Sequence, residues 1–86
     1  MKVSIEITLT PLQDHYEEAI KHFIRQLRAS KFVVKENPLS TQIYGEFVPL
    51  MELLTPTIQA TFDDIAAGMI HLKIVKSDRS TYQPFD

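Results

Sequence analysis

The sequence contains no cysteine and only two glycines among its 86 residues. Without cysteine the chain has no disulfide, no thiolate nucleophile and no cysteine-ligated zinc. The two isolated glycines, Gly45 and Gly68, cannot form the glycine-rich loop that cradles a phosphate. The sequence also lacks a signal-peptide pattern and an apolar run long enough to span a bilayer. We therefore expect a cytoplasmic protein with no membrane partner.

Neither sign of charge dominates the chain, which has 9 basic and 11 acidic residues and a net charge of -2. A chain without a positive field is not expected to bind nucleic acid. The histidines His15, His22 and His71 lack the close ligand spacing of a zinc site. No nucleophile elbow, triad or phosphate loop surrounds Ser40 and Thr41. We expect no metal, no cofactor and no catalytic residue.

Four stretches have the residue pattern of β-strands. Residues 3–10 and 69–76 alternate apolar and polar side chains, so each strand has one dry face and one polar face. Residues 31–36 and 42–45 are short and rich in β-formers. Asn37-Pro38 between them favours a turn, which predicts an antiparallel pair.

Two stretches have the apolar spacing of helices. The first runs from Asp14, which we expect to cap it, to Ser30. The second begins near Pro49, a residue that suits a first helical turn. Pro56 lies inside this second stripe and removes one helix hydrogen bond, so we expect a kink or two abutting helices there.

The resulting order, βαββαβ, predicts an α+β ferredoxin-like fold with a four-stranded antiparallel sheet and two helices on one face. Residues 1–78 are expected to form this single domain, and residues 79–86 a polar C-terminal tail. The other face of the sheet is then left open. Its predicted side chains are those of Ser4, Glu6, Thr8, Gln42, Tyr44, Met69, His71 and Lys73.

The connection between the two short strands holds more hydroxyls and carboxylates than a turn requires. One interpretation is that Ser40 and Thr41 only satisfy backbone groups at the turn and the strand end. The other is that polar groups of this region bind a small polar heterocycle. Both interpretations are compatible with the residues alone.

Four segments carry a family resemblance: residues 3–12, 37–41, 43–47 and 72–74. They resemble the thiamine-binding YkoF-like family of small ferredoxin-like proteins. The most specific part is the run Pro-Leu-Ser-Thr-x-Ile-x-Gly-Glu, from Pro38 to Glu46. The resemblance implies homodimers or homotetramers built through the sheets, and the hydroxymethylpyrimidine part of thiamine as the ligand.

An aminopyrimidine calls for hydroxyl donors and a carboxylate acceptor in a partly dry site. The residues predicted to supply this set are Ser40, Thr41, Gln42 and Glu6. For the positive thiazolium of intact thiamine we expect Tyr44 or Glu46. The pocket lies either at an interface between open faces or within one subunit, between the Ser40-Thr41 turn and the helices.

The leading hypothesis is therefore a non-catalytic binding protein for thiamine or hydroxymethylpyrimidine. One alternative is an oligomerising interaction module with no ligand. Another is a small dimeric ferredoxin-like enzyme, for which a buried His71 beside an empty cavity would be the residue to inspect.

Overall fold

A computed structural model describes residues 1–84 as one antiparallel sheet with two helices packed on it. The elements in chain order are β1 Lys2–Pro11, α1 Tyr16–Arg28, β2 Val33–Glu36, β3 Thr41–Glu46, α2 Phe47–Asp64 and β4 Gly68–Val75. The strands lie in the order β2-β3-β1-β4, and every neighbouring pair is antiparallel. The predicted ferredoxin-like βαββαβ fold is confirmed.

The alternation of β1 determines which side chains enter the core. Ile5 lies directly opposite Ile43 of β3 and Ile74 of β4, so these three side chains point to the helix face. The buried core combines that face with one stripe of each helix, and its residues are Val3, Ile5, Ile7, Leu9, Phe23, Leu27, Ile43, Leu50 and Leu54. Full burial of such side chains contributes about 1.5–3 kcal/mol each, which makes this layer the main source of stability.

The start of α1 differs from the prediction. The residue before the helix is His15, which has a left-handed backbone with φ 60° and ψ 35°, and no side chain caps the helix. The expectation that Asp14 caps α1 is therefore wrong. Glu17 and Glu18 lie in the first turn, where a negative charge interacts favourably with the helix dipole.

Helix α2 is continuous through Pro56, so the alternative of two abutting helices is wrong. Proline cannot donate to the carbonyl four residues earlier, which is that of Glu52. Both residues are exposed, so water can reach this part of the helix. The next turns gain two side-chain bonds, because Thr57 Oγ1 donates to the Leu53 carbonyl and Thr61 Oγ1 to the Thr57 carbonyl, each at 2.8 Å.

The chain that follows β4 folds onto the open face of the sheet. Ser4 Oγ donates to the Ser77 carbonyl at 2.7 Å and accepts from the Arg79 amide at 2.8 Å. Farther along, the Lys35 ammonium donates to the Ser80 carbonyl. We call residues 77–80 the strap. It leaves Ser4 only 7% exposed, so the open face is partly covered by the protein itself.

The strap includes the start of the tail predicted for residues 79–86, and the last two residues of that tail lie outside the described part of the chain. Neither helix within residues 1–84 has the length and apolar character needed to cross a membrane.

Candidate functional site

Three of the predicted ligand residues are joined by hydrogen bonds across β1 and β3. Glu6 and Gln42 lie directly opposite each other in the two strands. Ser40 Oγ donates to Glu6 Oε2 at 3.0 Å and accepts from Gln42 Nε2 at 2.7 Å. Lys73 Nζ lies 3.6 Å from the other carboxylate oxygen of Glu6. This network fixes the position of the Ser40 hydroxyl at the end of β3.

The turn before β3 is rigid for a local reason. The side-chain oxygen of Asn37 accepts from the backbone amides of Leu39, at 2.8 Å, and Ser40, at 3.0 Å. The backbone N–H of Asn37 also donates to the Ser40 carbonyl at 3.1 Å. Asparagine forms such turns because its short side chain mimics a backbone acceptor, and Pro38 fixes the next φ angle. The predicted turn is thus confirmed.

A cavity of about 230 Å³ lies between this turn, α1 and the helix-facing side of β1, and we call it the turn cavity. Its lining residues are Ile7, Thr8, Leu9, Ile20, Phe23, Ile24, Asn37, Pro38, Leu39, Ser40 and Thr41. The walls are apolar side chains from three elements, and the polar groups are concentrated on the turn. Such a combination suits a small ligand with an aromatic ring and a few hydrogen-bonding atoms.

Thr41 is the polar side chain most deeply placed in the turn cavity. It lies opposite Ile7 on the helix face and is only 6% exposed. Its hydroxyl forms no hydrogen bond with any group of residues 1–84. The hydroxyl oxygen is not among the buried polar atoms that lack a partner, so it is accessible from the cavity and can exchange water for a ligand group. Thr41 is therefore the strongest candidate for a direct ligand contact.

A second cavity of about 190 Å³ lies on the other side of the sheet, under the strap, and we call it the sheet-face cavity. It is lined by Ser4, Ile5, Glu6, Gln42, Tyr44, Lys73, Val75 and Arg79. The Lys35 ammonium lies 5.8 Å from the centre of the Tyr44 ring. The ring therefore already interacts with one of the protein's own cations, which opposes its predicted role toward a thiazolium.

Glu46 lies away from both cavities, opposite Lys2 at the other end of β3. Its Oε2 is 2.6 Å from the amino group of Met1, and this hydrogen bond lowers the pKa of Glu46 below its usual value. The structure therefore divides the predicted ligand residues into three groups. Ser40 and Thr41 line the turn cavity, Glu6, Gln42 and Tyr44 line the sheet-face cavity, and Glu46 lines neither.

Other candidate groups are dispersed. His71, the residue to inspect under the enzyme alternative, is exposed on the open face, opposite Thr8 of β1. Within residues 1–84 no three histidine or acidic side chains are placed to hold a metal ion.

Sequence reasoning missed the apolar wall of the turn cavity. Ile20 and Ile24 match the apolar spacing of the first helix, which is typical of core positions, and both also line the cavity. Leu39 gave a clearer indication, because it is an apolar residue at the tip of a polar turn. Nothing in the sequence indicated that Arg79 would line a cavity on the sheet.

The fold matches several solved structures. Protein SP2199 of Streptococcus pneumoniae has a TM-score of 0.83 and 23% identity, over 94% of this chain and 92% of that one. A candidate thiamine biosynthesis/salvage protein of Thermotoga maritima has a TM-score of 0.81 and 19% identity, over 90% and 85%. A DUF77 domain from Bacillus cereus, of unknown function, has a TM-score of 0.73 and 18% identity, over 91% and 78%.

No family model and no curated protein matches the sequence. At the identities found among the solved structures, the likeness shows a shared fold and nothing further.

Proposed function

We propose that the protein binds the aminopyrimidine ring of thiamine, or free hydroxymethylpyrimidine, in the turn cavity and releases it unchanged. The observation that carries this proposal is an apolar cavity with one deeply placed hydroxyl, that of Thr41, which has no partner within residues 1–84. Ser40 precedes Thr41 in the chain and also lines the cavity, while its hydroxyl is bonded to Glu6 and Gln42 on the open face of the sheet.

The size of the cavity favours a single-ring ligand. Its volume of about 230 Å³ is below the range of about 300–1,000 Å³ that holds drug-sized molecules. A pyrimidine ring fits between Ile20, Ile24 and the turn, whereas the second ring of intact thiamine would lie outside in solvent. This arrangement needs no protein group for the thiazolium. It is consistent with the contacts of the two residues predicted for that role, because Tyr44 interacts with Lys35 and Glu46 with the Met1 amino group.

The polar groups match the hydrogen-bonding pattern of an aminopyrimidine. Its ring nitrogens are acceptors, which the Thr41 hydroxyl can satisfy as donor. Its exocyclic amine is a donor, and the oxygen of the same Thr41 hydroxyl can accept from it. Glu6, Gln42 and the Ser40 hydroxyl form a network on the open face and make no contact with a ligand bound in the turn cavity.

Two further observations support the proposal. The run from Pro38 to Glu46 carries the resemblance to the YkoF-like family, and its first four residues, Pro38 to Thr41, line the turn cavity. One structure of the same fold carries a name that refers to thiamine biosynthesis or salvage. Membership of the family, absence of catalysis and a cytoplasmic location remain predictions.

Isothermal titration of the purified chain with thiamine and with hydroxymethylpyrimidine tests the proposal. Thr41→Val keeps the side-chain shape and removes the hydroxyl, so we expect affinity to fall about tenfold or more, which corresponds to roughly 1.4 kcal/mol. The matched control is Tyr44→Phe, which removes a hydroxyl from the sheet-face cavity and should leave affinity unchanged.

The outcomes are distinct. No binding of either ligand to the native chain at millimolar concentration contradicts the proposal. Binding that survives in Thr41→Val and is lost in Tyr44→Phe would move the ligand to the sheet-face cavity. A proton NMR spectrum of the ligand after long incubation checks for catalysis, and we expect it to be unchanged.

A further inference from the structure

Strand β1 extends beyond the end of β3, and this part of its edge has no neighbouring strand. The ladder between β1 and β3 ends at the pair of Ile7 and Thr41, whereas β1 continues beside β4 as far as Pro11. Before Thr41 the chain leaves the sheet in the turn. Leu39, which would face Leu9 if the ladder continued, is 86% exposed. The β3 side of β1 is therefore open beyond Ile7.

Hydrogen bonds at the two ends of β1 show which way its backbone groups point. The Met1 carbonyl accepts from the Phe47 amide, in line with the β3 ladder. The Leu12 amide donates to the Ala67 carbonyl, in line with the β4 ladder. Because backbone groups alternate in direction along an antiparallel strand, odd-numbered residues of β1 point toward β3 and even-numbered residues toward β4. The N–H and C=O of Leu9 therefore point toward the open side.

Neither backbone group of Leu9 has a hydrogen-bond partner within residues 1–84. The backbone N–H of Leu39 donates to the side chain of Asn37 at 2.8 Å, and no turn or loop bond reaches Leu9. Leu9 also lines the turn cavity and is only 7% exposed. Unpaired backbone groups in so buried a residue are rare in folded proteins, because losing water without gaining a partner costs free energy. A donor and an acceptor are thus available to a molecule in the cavity.

We propose that the backbone of Leu9 selects the ligand of the turn cavity by pairing with a ring nitrogen and the amino group next to it. This inference rests on the proposed function and names the chemical feature that the site recognises. The Leu9 N–H donates to the ring nitrogen, and the Leu9 C=O accepts from the amino group, as it would pair with a longer β3. The ligand class is therefore that of neutral heterocycles with this edge, to which an aminopyrimidine belongs.

The Leu9 backbone and the Thr41 hydroxyl can bind one ring together. Thr41 lies opposite Ile7, two residues before Leu9, which is a separation of about 7 Å along the strand. A single substituted ring spans such a distance, and the apolar side chains of Ile20 and Ile24 from α1 lie on the cavity wall beside it. The two contacts use different atoms of the ligand, so they do not compete.

Amide hydrogen exchange on the native chain tests the unpaired edge before any ligand is added. The amides of Ile7 and Thr8 point into the β3 and β4 ladders, whereas that of Leu9 is free. We expect the Leu9 amide to exchange at least about tenfold faster than either neighbour. Saturation with hydroxymethylpyrimidine should slow Leu9 relative to Thr8 and shift the Leu9 amide proton in the NMR spectrum. A Leu9 amide as protected as its neighbours in the free protein overturns the proposal.

A backbone substitution tests the contact itself. Incorporating the α-hydroxy analogue of leucine at position 9 replaces the Leu9 N–H by an ester oxygen and keeps the side chain. We expect isothermal titration to show at least about tenfold weaker binding of hydroxymethylpyrimidine. The matched control is the same ester replacement at Glu17, whose N–H lies in the first turn of α1, where no side chain caps the helix. It should leave affinity unchanged.

The outcomes distinguish this inference from the proposed function. Native chain that binds hydroxymethylpyrimidine without any change at the Leu9 amide, or with full affinity in the Leu9 ester, overturns the inference and leaves the proposed function standing. Equal losses in the Leu9 and Glu17 esters also overturn it, because the effect would then be a general one of the ester bond. No heat with the native chain contradicts both.

Discussion

The two edge strands of the sheet are protected to very different degrees. β2 has four residues, and the Glu36 carboxylate at its end accepts two hydrogen bonds from Arg28 of α1, at 2.6 and 2.7 Å. Lys35 of the same strand is held by the strap. β4 has eight residues, and on its helix face Leu72 and Ile74 are 39% and 42% exposed. Its Lys73 lies 3.6 Å from Glu6 on the other face.

The difference shows that the fold protects its two sheet edges unequally. A short strand tied down by charged side chains is a poor template for pairing, whereas a long apolar strand is a good one. The helices cannot cover both edges of a four-stranded sheet in a chain of this size.

The largest expected effect on stability concerns Ile7 of β1 and Leu72 of β4, which lie opposite each other in neighbouring strands. Ile7→Ala empties a fully buried site and should lower the free energy of unfolding by about 2–5 kcal/mol. Leu72→Ala, at the partly exposed edge, should cost less than about 1.5 kcal/mol. Urea unfolding measures both values. Similar losses would show that β4 is covered after all.

A second, smaller effect on stability is expected on the β2 side of the sheet. A Cβ on Gly45 would lie 2.5 Å from a ring carbon of Phe32, the residue before β2, so Gly45→Ala forces that ring to move. We expect a loss of about 1–3 kcal/mol from this overpacking. Phe32→Leu gives the ring position more room, so the double variant should lose less than the sum of the two single losses. Strictly additive losses contradict the contact.

The central architecture could be predicted because its causes are local. Alternation in β1 predicted both the strand and its buried face, and Asn37-Pro38 predicted a turn whose hydrogen bonds lie within four residues. The strap could not be predicted, because its contact joins Ser4 to Ser77, and no periodicity relates residues so far apart. The start of α1 was also missed, since His15 adopts a left-handed backbone that residue preferences disfavour.

The candidate site was partly predictable for the same reason. Ser40 and Thr41 could be identified because the turn carries more hydroxyls than its backbone needs. Ile20 and Ile24 could not, because a side chain at helical spacing has the same pattern whether it fills the core or lines a cavity. Tyr44 and Glu46 were suitable cation partners by chemistry, but the folded chain places Lys35 and the Met1 amine beside them.

The smallest expected effect concerns the ion pair that closes the β2 edge. The hydrogen bond from Arg28 holds the pKa of Glu36 below its usual value. A lowered folded-state pKa means that the pair stabilises the protein above the unfolded-state pKa of Glu36, and that this stabilisation is lost as the pH falls through the folded-state pKa. Arg28→Met should return the pKa of Glu36 to its usual range, and high salt should shift it the same way in the native chain.

NMR titration of the Glu36 carboxyl carbon measures the pKa, and urea unfolding at neutral and at acidic pH measures the consequence for stability. We expect the native chain and Arg28→Met to differ in stability at neutral pH by a small amount, because the pair is largely exposed, and to converge once Glu36 is protonated. A difference that persists unchanged in acid would mean that Arg28 stabilises the β2 edge through the packing of its side-chain stem and not through its charge.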